Sequence, residues 1–511
     1  MNSQSTPFAD LKGGRLLIAA LVLALANFMV VLDTTIANVS LPHITGSLAV
    51  SSTQGTWVIT SYAVAEAICV PLTGWLAGRF GVVRTFVACV IGFTVFSVLC
   101  GLSNSLALLV ICRIGQGLFG GPIMPLSQTL LMRIFPQEKH AQAMGLWAMT
   151  TVIGPILGPI LGGTISDNIS WHWIFFINIP VGIICALGAV SLLKSAETPL
   201  NKLKIDHIGL ILLVIWIGAL QLMLDLGHEH DWFHSNIINS LATVAIAGFI
   251  VFLIWEITEH NPIVNVRVFR HRGFTISVLA LSFGFGAFFG SIVLIPQWLQ
   301  INIGYTATWA GYVTATMGFG SLTMSPVVAK LSTRYDQRAL ACFGLLVLGG
   351  VTFMRALWTS EADFMALAIP QILQGFAVPF FFIPLSNIAL ASVLPQEITS
   401  AAGLMSFMRT MAGAIGASMS ATMWDDHAKL ARSEIVSSLN PEPTQHALVQ
   451  SGMSPEGALA MISNLVNKEA LTLAADHVFL LFSLVFVVSG LIIWLCPKPK
   501  PKTGAATGPT H

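Results

Sequence analysis

Charge is what this sequence has least of. Only 9% of its 511 residues are Asp, Glu, Lys or Arg, and the formal net charge is +1. A soluble domain carries about 25% charged residues, so water alone cannot solvate the surface of this chain. This shortage excludes a soluble enzyme and a nucleic-acid-binding protein. With 55% hydrophobic residues, the remaining class is a polytopic membrane protein embedded in a lipid bilayer.

Two further absences narrow the class. The seven cysteines show no CxxC or other paired spacing, and all but Cys496 lie well inside apolar segments. We therefore interpret them as packing residues and expect neither disulfides nor a metal site. No GxxxxGK[ST] sequence occurs, which argues against an ATP-driven pump. We expect no cofactor.

Long apolar segments are abundant instead. A membrane-spanning helix needs about 20 mainly apolar residues, and fourteen such segments follow one another along the chain. The sequence therefore predicts an all-α polytopic membrane protein. The predicted spans lie near 15–38, 55–77, 84–103, 106–131, 142–165, 172–193, 206–227, 236–257, 274–299, 307–331, 339–358, 364–391, 399–421 and 475–496.

The basic residues predict the topology. With fourteen spans, 18 of the 24 Lys and Arg residues fall on the same side of the membrane as Lys12 and Arg15. Basic residues concentrate in cytoplasmic segments of membrane proteins. We therefore expect both termini in the cytoplasm.

The chain also repeats itself. Residues 113–145 resemble residues 371–403, and Gln116-Gly117 matches Gln374-Gly375. The first six spans thus correspond to the last six, and parallel repeats of this kind place a pathway at their interface, near the bilayer midplane. The predicted divisions are a cytoplasmic N-terminus (1–14), an N-terminal six-helix bundle (15–193), an inserted helix pair (206–257), a C-terminal six-helix bundle (274–496, with a periplasmic loop at 423–474) and a cytoplasmic tail (497–511).

Four motifs follow in order along these spans. They are LDTTIANVSLP at 32–42, GWLAGRFG at 74–81, Arg113 with Gln116-Gly117, and GPILGG at 158–163. Together they resemble the major facilitator superfamily, and within it the fourteen-span drug:proton antiporters of the EmrB type.

The resemblance implies a fold of two six-helix bundles plus two inserted helices. It also implies proton-driven export of amphipathic or hydrophobic drugs across the bacterial inner membrane. It further implies two partners, a periplasmic adaptor (a membrane fusion protein) and an outer-membrane channel.

Four ionisable residues lie well inside spans: Asp33, Glu66, Arg113 and Arg409. Each costs about 2.5–3.5 kcal/mol at a helix centre, so such groups persist where they face a cavity or pair with one another. Asp33 is the first candidate for proton coupling, because the resemblance also places a functional acid in its motif. The alternative is a structural partner of Arg113.

The other three buried charges complete a candidate substrate and coupling network. Glu66 stands one helical turn from Tyr62 and is a second coupling candidate or an anchor for cationic substrates; alternatively it is a packing carboxylate. Arg113, one turn from Gln116, would bind a substrate anion or tune Asp33, or form a purely structural ion pair. Arg409 has no counterpart in the first half, and this asymmetry favours a functional role.

Two glycine motifs indicate conformational roles. In span five, Gly154, Gly158 and Gly162 recur every four residues and form a smooth face for close helix contact. Pro155 and Pro159 flank this face and should bend the helix. The resemblance implies a seal that rocks against the other half, although pure close packing would have the same sequence. The resemblance likewise gives a conformational role to Gly74, Arg79 and Gly81 between spans two and three.

The sequence therefore predicts a proton-driven multidrug exporter that works by alternating access. A stand-alone exporter of one metabolite or fatty acid remains the alternative. A membrane-embedded enzyme and a channel are less favoured, since no nucleophile–base pair appears and the chain has two matching halves.

Overall fold

A computed structural model describes residues 11, 13–200, 205–227, 230–438 and 441–497. Most of the predicted N-terminal segment 1–14 and of the tail 497–511 lies outside the described residues, as do Lys12, Lys202 and Lys204. All regular secondary structure in the described residues is helical. Its α-helices are α1 (Gly14–Ser47), α2 (Ser52–Gly55), α3 (Trp57–Phe80), α4 (Val82–Gly101), α5 (Leu106–Gly120), α6 (Ile123–Ile134), α7 (His140–Asn168), α8 (Trp173–Phe176), α9 (Asn178–Leu192), α10 (His207–Leu226), α11 (Asn236–Thr258), α12 (Arg272–Trp298), α13 (Ala307–Leu331), α14 (Gln337–Arg355), α15 (Phe364–Ala391), α16 (Ile398–Ser438), α17 (Pro441–Gln450) and α18 (Pro455–Ile492).

Each predicted span coincides with one of these helices or with a broken pair of them. Within the described ranges, eleven helical segments are long and apolar enough to cross a membrane, and there are twelve if the two parts of bent α7 are counted as one span. Helices α13 and α16 fall outside that set because they are richer in small and polar residues. An all-helical membrane protein is thus confirmed, while the count of fourteen spans stays a prediction.

Breaks in the helices fall at glycine and proline. The fourth predicted span divides into α5 and α6 at Gly121-Pro122, where the proline ring removes a backbone donor. Helix α7 bends by 42° between His140–Pro155 and Ile160–Asn168, as its two prolines predict. A π-helical turn, Leu299–Ile303, follows α12 and ends at Gly304, which has a positive φ of 82°.

The helices before and after the α10–α11 pair meet along two seams. Helix α3 packs against α16 at one seam, and α7 packs against α13 at the other. Helix α10 leans on both α3 and α16. Two hydrogen bonds of 2.9 Å attach the end of α10 and the turn that follows it to α16. Ser418 Oγ donates to the Leu224 carbonyl, and Trp232 Nε1 donates to Thr422 Oγ1. The inserted pair therefore covers the α3–α16 seam.

The protein has an apolar exterior as well as an apolar interior. Large side chains such as Ile111, Leu187, Ile246 and Leu484 are 59–67% exposed. Water would not tolerate so many exposed apolar side chains along the spans, whereas lipid acyl chains solvate them. The exposed apolar surface thus agrees with the membrane assignment.

The predicted periplasmic loop 423–474 is largely helical. Helix α16 runs 41 residues and α18 runs 38, far more than the ~20 needed to cross a bilayer. Their outer parts lie side by side, joined by bonds from Arg432 Nε to Asn467 Oδ1 (2.7 Å) and from Trp424 Nε1 to the Leu471 carbonyl (3.0 Å). We call residues 423–438 and 455–474 the outer hairpin.

Candidate functional site

Asp33 forms a buried ion pair with Arg113. Its Oδ2 accepts a hydrogen bond from Arg113 Nη1 at 2.6 Å, and its Oδ1 accepts from Gln116 Nε2 and Asn178 Nδ2, each at 2.8 Å. Both charged side chains are at most 1% exposed. Three donors from two different helices therefore hold the carboxylate in place. The predicted neighbours Arg113 and Gln116 do meet Asp33, whereas Asn178 was not anticipated.

Arg113 is in turn held on every side. Its Nε donates to the Val58 carbonyl at 3.0 Å, and Nη1 also donates to Gln116 Oε1 at 2.8 Å. The guanidinium lies over the Tyr62 ring, with 4.2 Å from its central carbon to the ring centroid, a cation–π arrangement that favours a buried arginine. Asp33 and Arg113 thus form a hydrogen-bonded cluster contained within α1, α3, α5 and α9.

Glu66 has a different environment. It is 7% exposed, and no described residue hydrogen bonds to its carboxylate. Its charge interacts with those of Arg409 and Arg113. The packing register agrees with this pairing, because a Cβ at Gly403 would lie 3.2 Å from the Val70 carbonyl oxygen. Helices α3 and α16 are antiparallel, so moving back along α3 from Val70 by one turn, to Glu66, corresponds to moving forward along α16 from Gly403 toward Arg409.

Arg409 therefore carries its charge at the boundary between the two halves. Nη2 lies 3.1 Å from Met124 Sδ of α6, and the guanidinium lies 4.9 Å from the Trp147 ring centroid and 5.6 Å from that of Phe285. Among the described residues, Nη1 has no hydrogen-bond partner, and Glu66 is the acidic group whose charge acts on it. Arg409 is thus surrounded by aromatic and thioether groups from both halves.

Further polar atoms without protein partners lie within a turn of these residues. In the described part of the chain, both amide atoms of Gln128, one turn from Met124, lack partners. Ser406 Oγ, one turn before Arg409, and Tyr62 Oη, one turn before Glu66, also lack them. Buried polar groups without partners are costly, so their concentration here indicates a place where a polar ligand or a proton is accommodated.

A cavity of about 1,080 Å³ lies between the two halves on the predicted cytoplasmic side. Met132 and His140 line it from the first half, and Arg334 and Asn387 line it from the second. Its volume exceeds the upper end of the range usual for small-molecule sites, about 300–1,000 Å³. The cavity is therefore large enough for a drug-sized molecule.

The glycine face of α7 packs against α1. A Cβ at Gly154 would lie 2.9 Å from Val31 Cβ, one at Gly158 would lie 3.1 Å from the Thr35 carbonyl carbon, and one at Gly162 would lie 3.0 Å from the Ile36 carbonyl oxygen. All three neighbours belong to α1, in the same half as α7, so this glycine face packs within its own half, and the expected sealing role stays a prediction. The side chain of Pro159 lies outside the described residues, and Pro155 stands at the bend.

The motif between α3 and α4 contains two tight contacts. A Cβ at Gly74 would lie 2.5 Å from Ser400 Oγ of α16, so this glycine allows the two halves to approach closely. Gly81 has a φ of 89° and leaves room for Glu197, which accepts hydrogen bonds from the Val83 and Arg84 amides at the start of α4. Arg79 lies 5.7 Å from the ring centroids of its neighbours Trp75 and Phe80.

A third buried arginine, Arg355 at the end of α14, was not among the predicted site residues. It is fully buried and donates to Gln371 Oε1 at 3.0 Å and to Gln374 Oε1. The internal repeat points to this cluster, because the two glutamines that bind Arg355, Gln371 and Gln374, occupy the positions of Arg113 and Gln116. Comparing the two halves position by position draws attention to this cluster.

Two helical halves that meet at a buried polar centre define a membrane transporter that works between two sides of the bilayer. The sequence profile of the Major Facilitator Superfamily matches residues 23–417, and this chain belongs to that family. It is 43% identical over 508 residues to the multidrug export protein EmrB of Escherichia coli K12, covering 98% of this chain and 99% of that one.

Two further comparisons extend this result. The chain is 41% identical over 497 residues to the fatty acid resistance protein FarB of Neisseria gonorrhoeae, covering 96% of this chain and 98% of the relative. The crystal structure of the human organic anion transporter MFSD10 (TETRAN) superposes with a TM-score of 0.60 at 14% identity, over 94% of this chain and all of that one. The family and fold expected from the sequence are thus confirmed.

Proposed function

We propose that this chain exports chemically diverse toxic compounds in exchange for protons, by alternating access between its two halves. One observation carries the proposal: the Glu66 carboxylate of one half faces the Arg409 guanidinium of the other, and no described residue hydrogen bonds to the carboxylate. A proton that binds there changes an interaction between the halves themselves. Such a site links proton binding to conformation directly.

The coupling step follows from this charge arrangement. Ionised Glu66 attracts Arg409 and favours contact between α3 and α16, and a proton on Glu66 removes that attraction. A cationic substrate in the same space competes with the proton for Glu66, and an anionic one competes with the Glu66 carboxylate for Arg409. The proton gradient then drives the exchange, because protonation on one side and deprotonation on the other alternately weaken and restore this contact.

We give Asp33 a different part in the same cycle. Its hydrogen bonds come from Arg113, Gln116 and Asn178, all in its own half. In this proposal Asp33 keeps Arg113 oriented behind Tyr62 and takes a proton only when that cluster opens. The first coupling residue is therefore Glu66, with Asp33 as the second.

Several features support a broad substrate range. Aromatic and methionine side chains surround Arg409, and both adapt to ligands of different shape. The relative with 43% identity over nearly the whole chain is named a multidrug export protein. We therefore propose amphipathic compounds with an aromatic or aliphatic body as the substrates.

Everted membrane vesicles test the proposal. After respiration acidifies the lumen, each compound of a drug panel is added while an acridine dye reports ΔpH. We expect several unrelated compounds to release protons from the lumen with the wild-type chain, and none to do so with Glu66→Gln. Glu256→Gln is the matched control, because Glu256 is also buried but lies in the inserted pair, where its Oε2 accepts from the Val264 amide. Full exchange by Glu66→Gln would overturn the coupling assignment.

A narrower function is the second candidate: a stand-alone exporter of one metabolite or fatty acid. The name of the fatty acid resistance protein FarB, at 41% identity, favours it. The same panel separates the two functions if it includes medium- and long-chain fatty acids. Proton release by fatty acids alone would replace the multidrug proposal with this one.

We further propose that the outer hairpin contacts a periplasmic adaptor, which connects the transporter to an outer-membrane channel. The hairpin exposes apolar side chains beyond the length needed to cross the bilayer, among them Leu430 (60%) and Leu465 (51%). The double variant Leu430→Ser/Leu465→Ser should keep proton–drug exchange in vesicles and lose drug resistance in intact cells. Full resistance with this variant would argue against an adaptor at this surface.

A further inference from the structure

The C-terminal half contains a buried cation whose charge is not balanced by an acid. Arg355 is 0% exposed, and no carboxylate forms an ion pair with it among the described residues. Its Nη2 donates to Gln371 Oε1 and to Gln374 Oε1. Both contacts are with neutral amides, which orient the guanidinium without neutralising it.

Four hydrogen-bond donors in this cluster have no protein acceptor. In the described part of the chain, these are Arg355 Nε and Nη1, Gln371 Nε2 and Gln374 Nε2. The two glutamine oxygens face the guanidinium, so both amide groups turn their N–H₂ groups away from it. A buried group that presents only N–H donors and a positive charge is complementary to an anion.

The N-terminal half shows what such a cluster needs. There Gln116, the repeat counterpart of Gln374, hydrogen bonds to Asp33, whose other oxygen binds Arg113. In the C-terminal half, helices α12, α13, α14 and α15 contain no Asp or Glu at all. Helix α18, which packs against α14, contains Glu469 and Asp476, but the described residues show no ion pair between either carboxylate and Arg355. The second half has therefore kept the glutamine and a buried arginine without a carboxylate bound to them.

We propose that Arg355, Gln371 and Gln374 form a binding site for a small monovalent anion, either a carboxylate group or a halide. The anion takes the place that the Asp33 carboxylate has in the first half. Arg355 is the last residue of α14, and the chain then turns through 356–363 toward α15. The site is thus close to the predicted outer surface, from which an anion has a short path. This inference does not depend on the direction or substrates of transport.

Thermal unfolding of the purified chain in detergent tests it. The melting temperature is measured while sodium chloride or sodium formate replaces sodium gluconate at constant ionic strength. A ligand that binds only the folded state raises Tm in a saturable manner. We expect a saturable rise in Tm of roughly 2 °C or more with at least one of the two salts. A rise with formate but not with chloride would identify a carboxylate site.

Variants separate this site from general salt effects. Arg355→Gln should abolish the rise, and Gln374→Leu, which keeps the charge, should move its midpoint to about tenfold higher anion concentration. Arg432→Gln, an exposed arginine of the outer hairpin, should respond as the wild type does. The absence of a saturable rise with both salts overturns the proposal, as does an undiminished rise in Arg355→Gln. If Arg355→Gln does not fold, the Gln374→Leu titration decides in the same way.

Discussion

Asp33 and Arg113 are joined by a 2.6 Å ion pair that solvent does not reach. Removing one member of such a pair leaves the other as an uncompensated buried charge, which typically costs about 3–5 kcal/mol. We therefore expect Asp33→Asn to lower the unfolding free energy by an amount in that range, measured by thermal unfolding in detergent. The double variant Asp33→Asn/Arg113→Gln should recover part of the loss, because no lone charge remains.

A double-mutant cycle on these two positions measures their coupling. If the double variant loses the sum of the two single losses, the pair is not coupled and the hydrogen bonds from Gln116 and Asn178 dominate. Asn178→Asp is informative as well, since it places a second carboxylate against Asp33. We expect it to destabilise the protein more than Asn178→Ala does.

Gly81 has both a backbone conformation that favours glycine and a close neighbour, Glu197, so a side chain at this position would meet both strain and a steric clash. Its φ of 89° and ψ of 147° are almost exclusive to glycine, and a Cβ there would lie 2.5 Å from Glu197 Oε1. Gly81→Ala should lower Tm more than Gly304→Ala, because Gly304 has a positive φ of 82° but open space around it. Equal losses in both variants would show that φ alone sets the requirement for glycine at position 81.

Gly74 tests the contact between the halves. A methyl group at this position would lie 3.0 Å from the Cα of Ser400 as well as 2.5 Å from its hydroxyl oxygen. Gly74→Ala should therefore slow transport in vesicles severalfold, and Ser400→Gly should restore part of the rate. Gly350→Ala, where nothing lies within 4 Å, is the control. A normal rate in Gly74→Ala would mean that the α3–α16 contact does not limit the transport cycle.

Helix α7 offers two glycines on different faces. A Cβ at Gly158 would meet Thr35 of α1, whereas one at Gly163 would meet nothing within 4 Å. Gly158→Ala should destabilise the N-terminal half, by about 1–3 kcal/mol as expected for overpacking, and Gly163→Ala should not. The measurement is Tm in detergent, together with vesicle transport at a temperature below the Tm of both variants. If Gly158→Ala alters transport but not Tm, the glycine face acts in the conformational change rather than in packing.

Periodicity and motif order were sufficient to predict the all-helical fold and the family. Hydropathy is a local property, so the apolar segments could be located without knowledge of their neighbours. The meeting of Asp33, Arg113 and Gln116 was also within reach, because buried charges in one half have few partners available.

The remaining parts of the site depend on distances that a sequence does not contain. Asn178 is one amide in an apolar span, and no motif distinguishes it from a helix-packing residue. The approach of Arg409 to Glu66 depends on how two halves dock, not on either helix alone. The same holds for Gly158, whose neighbour proved to be Thr35 of its own half.

The buried ionisable residues also have an electrical consequence. Within the two halves on either side of the α10–α11 pair, and so without Glu256 of α11, the buried arginines at 113, 355 and 409 in their charged forms exceed the buried carboxylates at 33 and 66 by one positive charge. A charge that moves across the full bilayer changes energy by about 2.3 kcal/mol per 100 mV. Any rearrangement that shifts this charge along the membrane normal therefore senses the voltage, independently of the pH difference. The membrane potential should bias which side of the transporter is open even when no substrate is present.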